Sequence, residues 1–399
     1  MWLLNSFHGR WGRWMAALLC LPLLAVNAGC RPSPWGLWNS YTAHFLDEQG
    51  RVIDPRISDR TTSEGEAYAM FFALVDNDRE DFDHLLRWTQ ANLAHGDLQT
   101  HLPGWLWGKN TSGAWTLLDE NSASDADLWM AYSLVEAGRL WKHPAYDQLG
   151  RRMLDQIARR EVAELPGFGA MLLPAPAGYE HERSATLKTW TLNPSYLPLF
   201  LFERLAVVDP AGPWQKIALN IPRFLRMSAV HGYAMDWVEY VPGDGFYPAP
   251  QTPPVDGKPG TPVWGSYDAI RVYLWAGLID SANTRRAEVL GAVPGMSIYL
   301  ANHDAPPEKI SDSGIPIEQY GPVGFSAAVL PYLRAYPGRE KVSMAQMIRL
   351  SAEKNQETGL YGKDQAYYDQ NLALFASGFL EGKYRFGQGG ELKVEWTHA

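Results

Sequence analysis

Helical periodicity restricts this chain more than any other feature of its sequence. From about Trp35 onward, segments of helical period alternate with short loops rich in Gly, Pro, Asn and Asp. Helices are predicted over residues 36–47, 63–76, 80–95, 125–141, 144–160, 194–207, 213–227, 268–281, 285–297, 320–335, 343–353 and 364–380. The stretch "DFDHLLRWTQANLA" (81–94) shows the pattern, with Phe82, Leu85, Leu86, Trp88 and Leu93 on an apolar side and Asp83, Arg87 and Gln90 beside them. One face must turn inward. Paired helices in this number predict an all-α protein, either an α/α toroid or an α-solenoid, and periodicity does not choose between them. Strand signals such as "FGAMLLP" (168–174) are few, so small β segments are expected only in loops.

The 399-residue chain has no long low-complexity linker, which favours one domain over residues 29–399. The stretch "VPGDGFYPAPQTPPVDGKPGTP" (241–262) cannot be helix, because proline removes donors and fixes φ; a surface excursion near Asp268 is expected. At the N-terminus, Arg10 and Arg13 precede an apolar run from Met15 to Val26 and then small residues, the layout of a secretory signal over residues 1–28. That run is too short to span a bilayer comfortably, so the mature chain is expected to lack a membrane helix and to be periplasmic or secreted. Cleavage after Ala28 would leave Cys30 as the one thiol, and Asn27 argues against a lipid anchor there.

A net charge of −9 and a pI near 5.6 exclude the basic face that nucleic acid or an anionic membrane surface requires. A neutral substrate fits best. The chain carries 17 Trp, 19 Tyr and 14 Phe, and Trp and Tyr stack on flat apolar sugar faces as readily as they fill a core. No HExxH or close His pair suggests a metal, and no G-x-S-x-G elbow suggests a serine hydrolase.

Acidic residues open three of the predicted helices. In "TTSEGEAYAM" (61–70), Ser63 and Glu66 fit a capping box, whereas Glu64 points about 200° away and shares a face with Ala67, Tyr68 and Phe71. Desolvation beside aromatic groups, or a second carboxylate, would raise its pKa; the helix dipole pulls the other way. In "SASDADLWMAYSLVEAGRLW" (122–141), Asp127 can cap against Ser124, while Asp125 faces the same way as Leu128, Trp129 and Tyr132. In "GSYDAIRVYLWAG" (265–277), Asp268 precedes Arg271 by three positions, which reads either as a weak surface ion pair or as a carboxylate held ionised for use as a base. Each start also reads as an ordinary helix cap. Together, two carboxyl groups in opposite protonation states are what glycosidic bond hydrolysis needs.

At these residues the chain resembles glycoside hydrolase family 8, most closely the periplasmic endoglucanases of bacterial cellulose-synthesis operons. "SASDADLWMAYSLVEAGRLW", "TTSEGEAYAMFFAL", "GWLWGK" (104–109), "NPSYLP" (193–198), "SYDAIRVYLW" (266–275) and "GPVGFSAAVLP" (321–331) carry the resemblance, which runs from about residue 35 to 390. It implies an (α/α)6 barrel and an inverting endo-β-1,4-glucanase without metal or cofactor. A monomer acting on β-1,4-glucan is expected, with a functional association with a cellulose synthase complex as a further expectation and oligomeric state open from sequence. The resemblance places the general acid on Glu64, the general base on Asp268 and a third, sugar-binding acid on Asp125, with Tyr196 and Arg271 orienting the base or its water. Trp105, Trp107, Trp129 and Trp190 are the candidate sugar platforms. The 241–262 stretch looks longer than the family's pattern, which affects cleft shape. The same fold acting on chitosan, mixed-linkage β-glucan or xylan, and a noncatalytic glycan-binding component of an export complex, are the competing readings.

Overall fold

A computed structural model describes residues 35–250 and 262–397; the expected signal segment, Cys30 and the middle of the Pro/Gly stretch lie outside these residues. Thirteen α-helices run through the described chain: α1 (Gly36–Phe45), α2 (Ser63–Val75), α3 (Arg79–Asn92), α4 (Ser124–Leu140), α5 (Pro144–Arg160), α6 (Leu199–Val208), α7 (Trp214–Ser228), α8 (Ala269–Leu278), α9 (Arg286–Ala292), α10 (Gly295–Tyr299), α11 (Val323–Arg334), α12 (Glu340–Ala352) and α13 (Tyr367–Glu381). The predicted 285–297 helix is two, because Val293 leaves helical space (ψ 50°) directly before Pro294, as the residue ahead of a proline tends to do. The predicted 194–207 helix likewise begins as one 3-10 turn, Pro194–Tyr196, and turns α-helical only after Pro198.

Helices α2, α4, α6, α8, α11 and α13 form an inner ring, with α1, α3, α5, α7, the α9–α10 pair and α12 outside it. The ring is closed: α4 packs on α2, α11 on both α8 and α13, Phe200 of α6 meets Trp275 of α8 edge-on, and Phe375 of α13 sits against Phe71 and Phe72 of α2. The periodic pattern is therefore that of a toroid, an (α/α)6 barrel, and not a solenoid.

The six inner helices enclose an axial core. Aromatic rings fill it. Trp129 lies 5.0 Å from Phe375 and 5.3 Å from Trp275, and Phe200 stacks on Phe386 at 3.9 Å. Much of the aromatic content of the chain is consumed here, in T-shaped and offset contacts that favour the ring quadrupoles.

The strands are short and antiparallel. β1 (Thr61–Thr62), β2 (Gly104–Lys109) and β3 (Trp115–Ser122) form one sheet; β5 (Gly169–Leu172) lies within the predicted "FGAMLLP" strand and pairs with β4 (Val162–Leu165), which precedes it. A four-stranded sheet, β6 (Glu180–Ser184), β7 (Leu187–Leu192), β8 (Val238–Val241) and β9 (Gly245–Pro248), makes a wall between helix pairs. The Pro/Gly stretch thus begins as a hairpin turning at Gly243 (φ 81°). The last hairpin, β12 (Tyr384–Phe386) with β13 (Leu392–Val394), follows β10 (Lys309–Ile310) and β11 (Pro316–Glu318) in chain order and inserts Phe386 among the axial aromatics. It is anchored by Tyr132, whose hydroxyl donates to Gly390 O at 2.8 Å, and by Glu136, which accepts from Leu392 N at 2.8 Å.

Candidate active site

The starts of α2, α4 and α8 meet at one end of the barrel, so three positive helix-dipole ends face one spot. Each start solves its capping differently. Thr62 Oγ1 accepts from Gly65 N at 3.1 Å, so the predicted capping box of Ser63 and Glu66 is replaced by a cap one residue earlier. Glu66 is instead fully buried, accepting from Val52 N at 2.7 Å and Thr89 Oγ1 at 3.3 Å, and burial pushes its pKa well up. Glu64 is left free for the site.

On α4, Asp125 accepts from the amide of Ala126 at 2.8 Å, and the flanking Ala123 offers no side-chain cap. Asp127 does not cap against Ser124. It is buried beside Glu161, which holds Ser122 Oγ at 2.5 Å, and burial followed by the charge of Glu161 raises the Asp127 pKa.

Asp268 stands at the N-cap of α8 with helical dihedrals and makes no capping bond. The missing cap comes from Asp236, which is buried and accepts from Ser266 N at 2.7 Å and Ala269 N at 2.8 Å. Nothing in the local pattern of "MDW" (235–237) announces this role, because Asp236 acts across about thirty residues of chain.

Arg271 is the hub of the cluster. Its side chain is 4% exposed and ion-pairs with Glu64, with Asp125 at 3.1 Å and with Asp268 at 2.5 Å; its Nη1 also donates to Tyr68 Oη at 2.9 Å. The surface-pair reading of Asp268 and Arg271 is therefore replaced by a buried guanidinium shared among three carboxylates. Such a cation stays charged, and the surrounding negative groups raise its pKa against the opposing effect of burial. Asp125 is 3% exposed and shares Arg271 Nη1 with Glu64; burial first, and the charge of Glu64 second, push its pKa well above the carboxylate range, with Arg271 opposing.

Tyr196 lies over the cluster with its ring centroid 5.7 Å from the Arg271 guanidinium carbon. Three further groups, absent from the sequence reading, complete the surroundings. Tyr368 feels Arg271, Glu64 and Asp268, and its hydroxyl donates to Tyr267 O at 2.5 Å. Tyr179 and Trp237 stack at 5.7 Å and 12°, and Trp237 contacts Tyr196 at 6.4 Å.

Two concavities flank the cluster. One of about 550 Å³ is lined by Tyr179, Trp237, His181, Arg183, Thr191 and Glu239. The other, about 630 Å³, is lined by Tyr267, Tyr320, Tyr368, Arg56, Glu308 and Arg349. The carboxylates lie between them, since Tyr179 of the first concavity feels Asp268 and Asp125 and Tyr368 of the second feels Glu64 and Asp268; the two concavities and the cluster together make up the cleft.

The expected tryptophan platforms are distributed otherwise. Trp129 is 1% exposed in the barrel axis, and Trp190 is 5% exposed, with Nε1 donating to Glu180 Oε2 at 3.1 Å; neither presents a free face, because each points down into the packing beneath its element. Trp105 is exposed on β2. Trp107 is half-buried, edge-on to Trp88 at 5.8 Å, in a separate depression. Among the described residues no His, Cys, Asp and Glu group is arranged to hold a metal ion, and no helix is long and apolar enough to cross a membrane.

The family model "Glycosyl hydrolases family 8" matches residues 9–382. An endoglucanase of Xanthomonas axonopodis pv. citri (strain 306) is 45% identical over 96% of this chain and 94% of its own length. One from Escherichia coli (strain K12) is 37% identical over 96% of each. The crystal structure of an endo-1,4-D-glucanase from Vibrio fischeri ES114 superposes with a TM-score of 0.80 at 37% identity, covering 91% of this chain and 99% of that one. Likeness of this extent, along nearly the whole sequence, makes the chain a member of glycosyl hydrolases family 8.

Proposed function

We propose that the protein is an endo-β-1,4-glucanase that hydrolyses cellulose-type chains with inversion at the anomeric carbon. The observation that carries this is the gathering of Glu64, Asp125 and Asp268 around one buried Arg271 in the middle of an open cleft. An open cleft passes a polymer through and suits internal cleavage. Relatives along the full length bear the name endoglucanase.

Glu64 is the general acid. Glu64 and Asp125 both bind Nη1 of Arg271, which gathers two acids at the cleavage position. Glu64, 22% exposed against 3% for Asp125, is the member that reaches the glycosidic oxygen. Asp268, 27% exposed and ion-paired to Arg271, is the general base: it takes a proton from the water that attacks C1 from the opposite face as the leaving oxygen receives the proton of Glu64. An inverting site needs about 6.5–9.5 Å between acid and base for that water. Glu64 and Asp268 bind different nitrogens of the same guanidinium, so the cation stands between them. Asp125 hydrogen-bonds the sugar at the cleavage position, and Tyr196, against Arg271, orients the base.

The secretory layout of residues 1–28 supports a periplasmic or exported enzyme, and the resemblance to endoglucanases of cellulose-synthesis operons supports work beside a cellulose synthase. Reducing-end release from carboxymethyl cellulose tests the activity. Wild type is expected to release ends, while Glu64→Gln and Asp268→Asn lose about a thousandfold or more in turnover yet still bind cello-oligosaccharides; a soluble, folded wild type that releases none would sink the proposal.

A further inference from the structure

Outside the cleft, three indoles from three elements converge on one depression. Trp88 comes from α3, Trp107 from β2 and Trp115 from β3, and the lining continues through Asp47, Glu48, Gln49, Arg51 and Asn92. Its volume, about 550 Å³, falls within the range of ligand pockets, about 300–1,000 Å³. Trp107 pairs across the hairpin with Leu117 and Lys109 with Trp115, so Trp107 and Trp115 project from the same face as diagonal neighbours.

The walls are built. Asp47 Oδ1 accepts from the amides of Gln49 and Arg51, each at 2.9 Å, which folds residues 47–51 into a tight turn. Gly50, at φ 86°, lets that turn press on α3: a Cβ there would lie 2.4 Å from the His84 carbonyl carbon. Arg51 bridges the parts, its Nε donating to Thr61 Oγ1 at 2.9 Å and its guanidinium lying 4.3 Å from the Trp115 ring centre. Trp115 is held in place and yet 39% exposed, an unusual state for an indole with no core to fill.

The depression is lined apart from the two concavities that flank Arg271, although its Trp107 pairs with Thr61 close to the start of α2. The turn that forms it is fastened to Glu66 through Val52 N, and Glu66 points about 200° around α2 from Glu64. It shares no lining residue with either concavity beside Arg271.

We propose that this pocket is a second binding site for a β-1,4-glucan chain, holding the polymer on the enzyme while another part of it occupies the cleft. Indole surfaces and a few amide and carboxyl groups around them match the apolar faces and hydroxyl rims of a neutral sugar chain. The nearly balanced charges of Asp47, Glu48 and Arg51 do not favour a strongly charged ligand. The ligand class rests on the glucan reading above.

The test compares full-length wild type with Trp115→Ala, Trp115→Phe and Asn92→Arg, the last filling the pocket from α3 without touching Trp115. Adsorption to phosphoric-acid-swollen cellulose and hydrolysis of soluble cellopentaose are measured side by side. Adsorption weakens about fivefold in Trp115→Ala and Asn92→Arg and stays near wild type in Trp115→Phe, with cellopentaose kcat/KM changed by less than about twofold throughout. Unchanged adsorption in both disruptive variants overturns the site. So does a parallel loss of cellopentaose hydrolysis, which would merge the pocket with the cleft, or loss of a dimer with adsorption intact, which would make it a contact between copies. If wild type fails to cleave cellopentaose but the adsorption differences stand, the catalytic reading falls and the pocket survives.

Discussion

Asp236 caps the helix that Asp268 begins. A residue at an N-cap ordinarily spends its side chain on the helix amides, but Asp236 accepts from Ser266 N and Ala269 N, and the Asp268 carboxylate turns to Arg271 instead. The same division of labour recurs at α2, where Thr62 caps and Glu64 is freed. Removing Asp236 should therefore weaken catalysis through position and not through chemistry. In Asp236→Ala, the unsatisfied amides cost about 1–3 kcal/mol of stability, and kcat falls at least about tenfold with KM little changed. Asp236→Asn, which keeps an acceptor oxygen, recovers part of both. Thermal unfolding and steady-state kinetics read the two effects separately, and an Asp236→Ala enzyme with full kcat would refute the positioning role.

Arg271→Met tests the hub. Deleting one partner of a buried ion pair strands the others at about 3–5 kcal/mol, discounted here because Glu64 and Asp268 are partly exposed. Lower stability by about 2 kcal/mol and a loss of kcat/KM of more than a hundredfold are expected. Arg271→Lys keeps the charge but not the fork that serves three carboxylates, so it should recover stability better than activity.

A separate buried acid sets a pH dependence of stability. Burial raises the Glu161 pKa to about 7, opposed by its bonds to Ser122 and Asp127. Because the folded value lies above the unfolded one, near 4.3, its favourable contribution is complete below about pH 4.3 and is lost as the pH rises through about 7. In Glu161→Gln the site no longer titrates. The melting temperature of this variant relative to wild type should rise between pH 5 and pH 8; a constant difference would show that Glu161 does not carry the effect.

The two kinds of tryptophan should separate cleanly. Trp129→Ala removes an axial ring and costs about 3–5 kcal/mol. Trp237→Ala, in the cleft wall, should leave the melting temperature within a few degrees and raise the KM for cellopentaose about tenfold. Equal destabilisation by both would remove the distinction between core and cleft.

Helix positions were legible because their signals are local: α5 occupies residues 144–160, the predicted span, and the departures at α6 and α9–α10 follow from Pro198 and Pro294. Ring closure was not, since contacts such as Phe71 with Phe375 join residues far apart in sequence. The acidic helix starts could be singled out, although neither Glu66 nor Asp127 took the capping task that set Glu64 and Asp125 apart: Thr62 caps α2, Glu66 holds Val52 N, and Asp127 is buried beside Glu161. Depth was hidden. Trp129 shares the Asp125 face of α4, but one turn further along that face lies the barrel axis and not the cleft. Tyr179, Trp237 and Tyr368 sit in loops or at an element's edge, where no periodic pattern marks them.

The most direct test of the central claim is anomer-resolved proton NMR of cellopentaose hydrolysis, with wild type beside Glu64→Gln and Asp268→Asn. Wild type is expected to form the α-anomer first, mutarotating later to the equilibrium mixture, while neither variant forms product on that time scale. Initial β-anomer from wild type, or undiminished turnover by either variant, would contradict it.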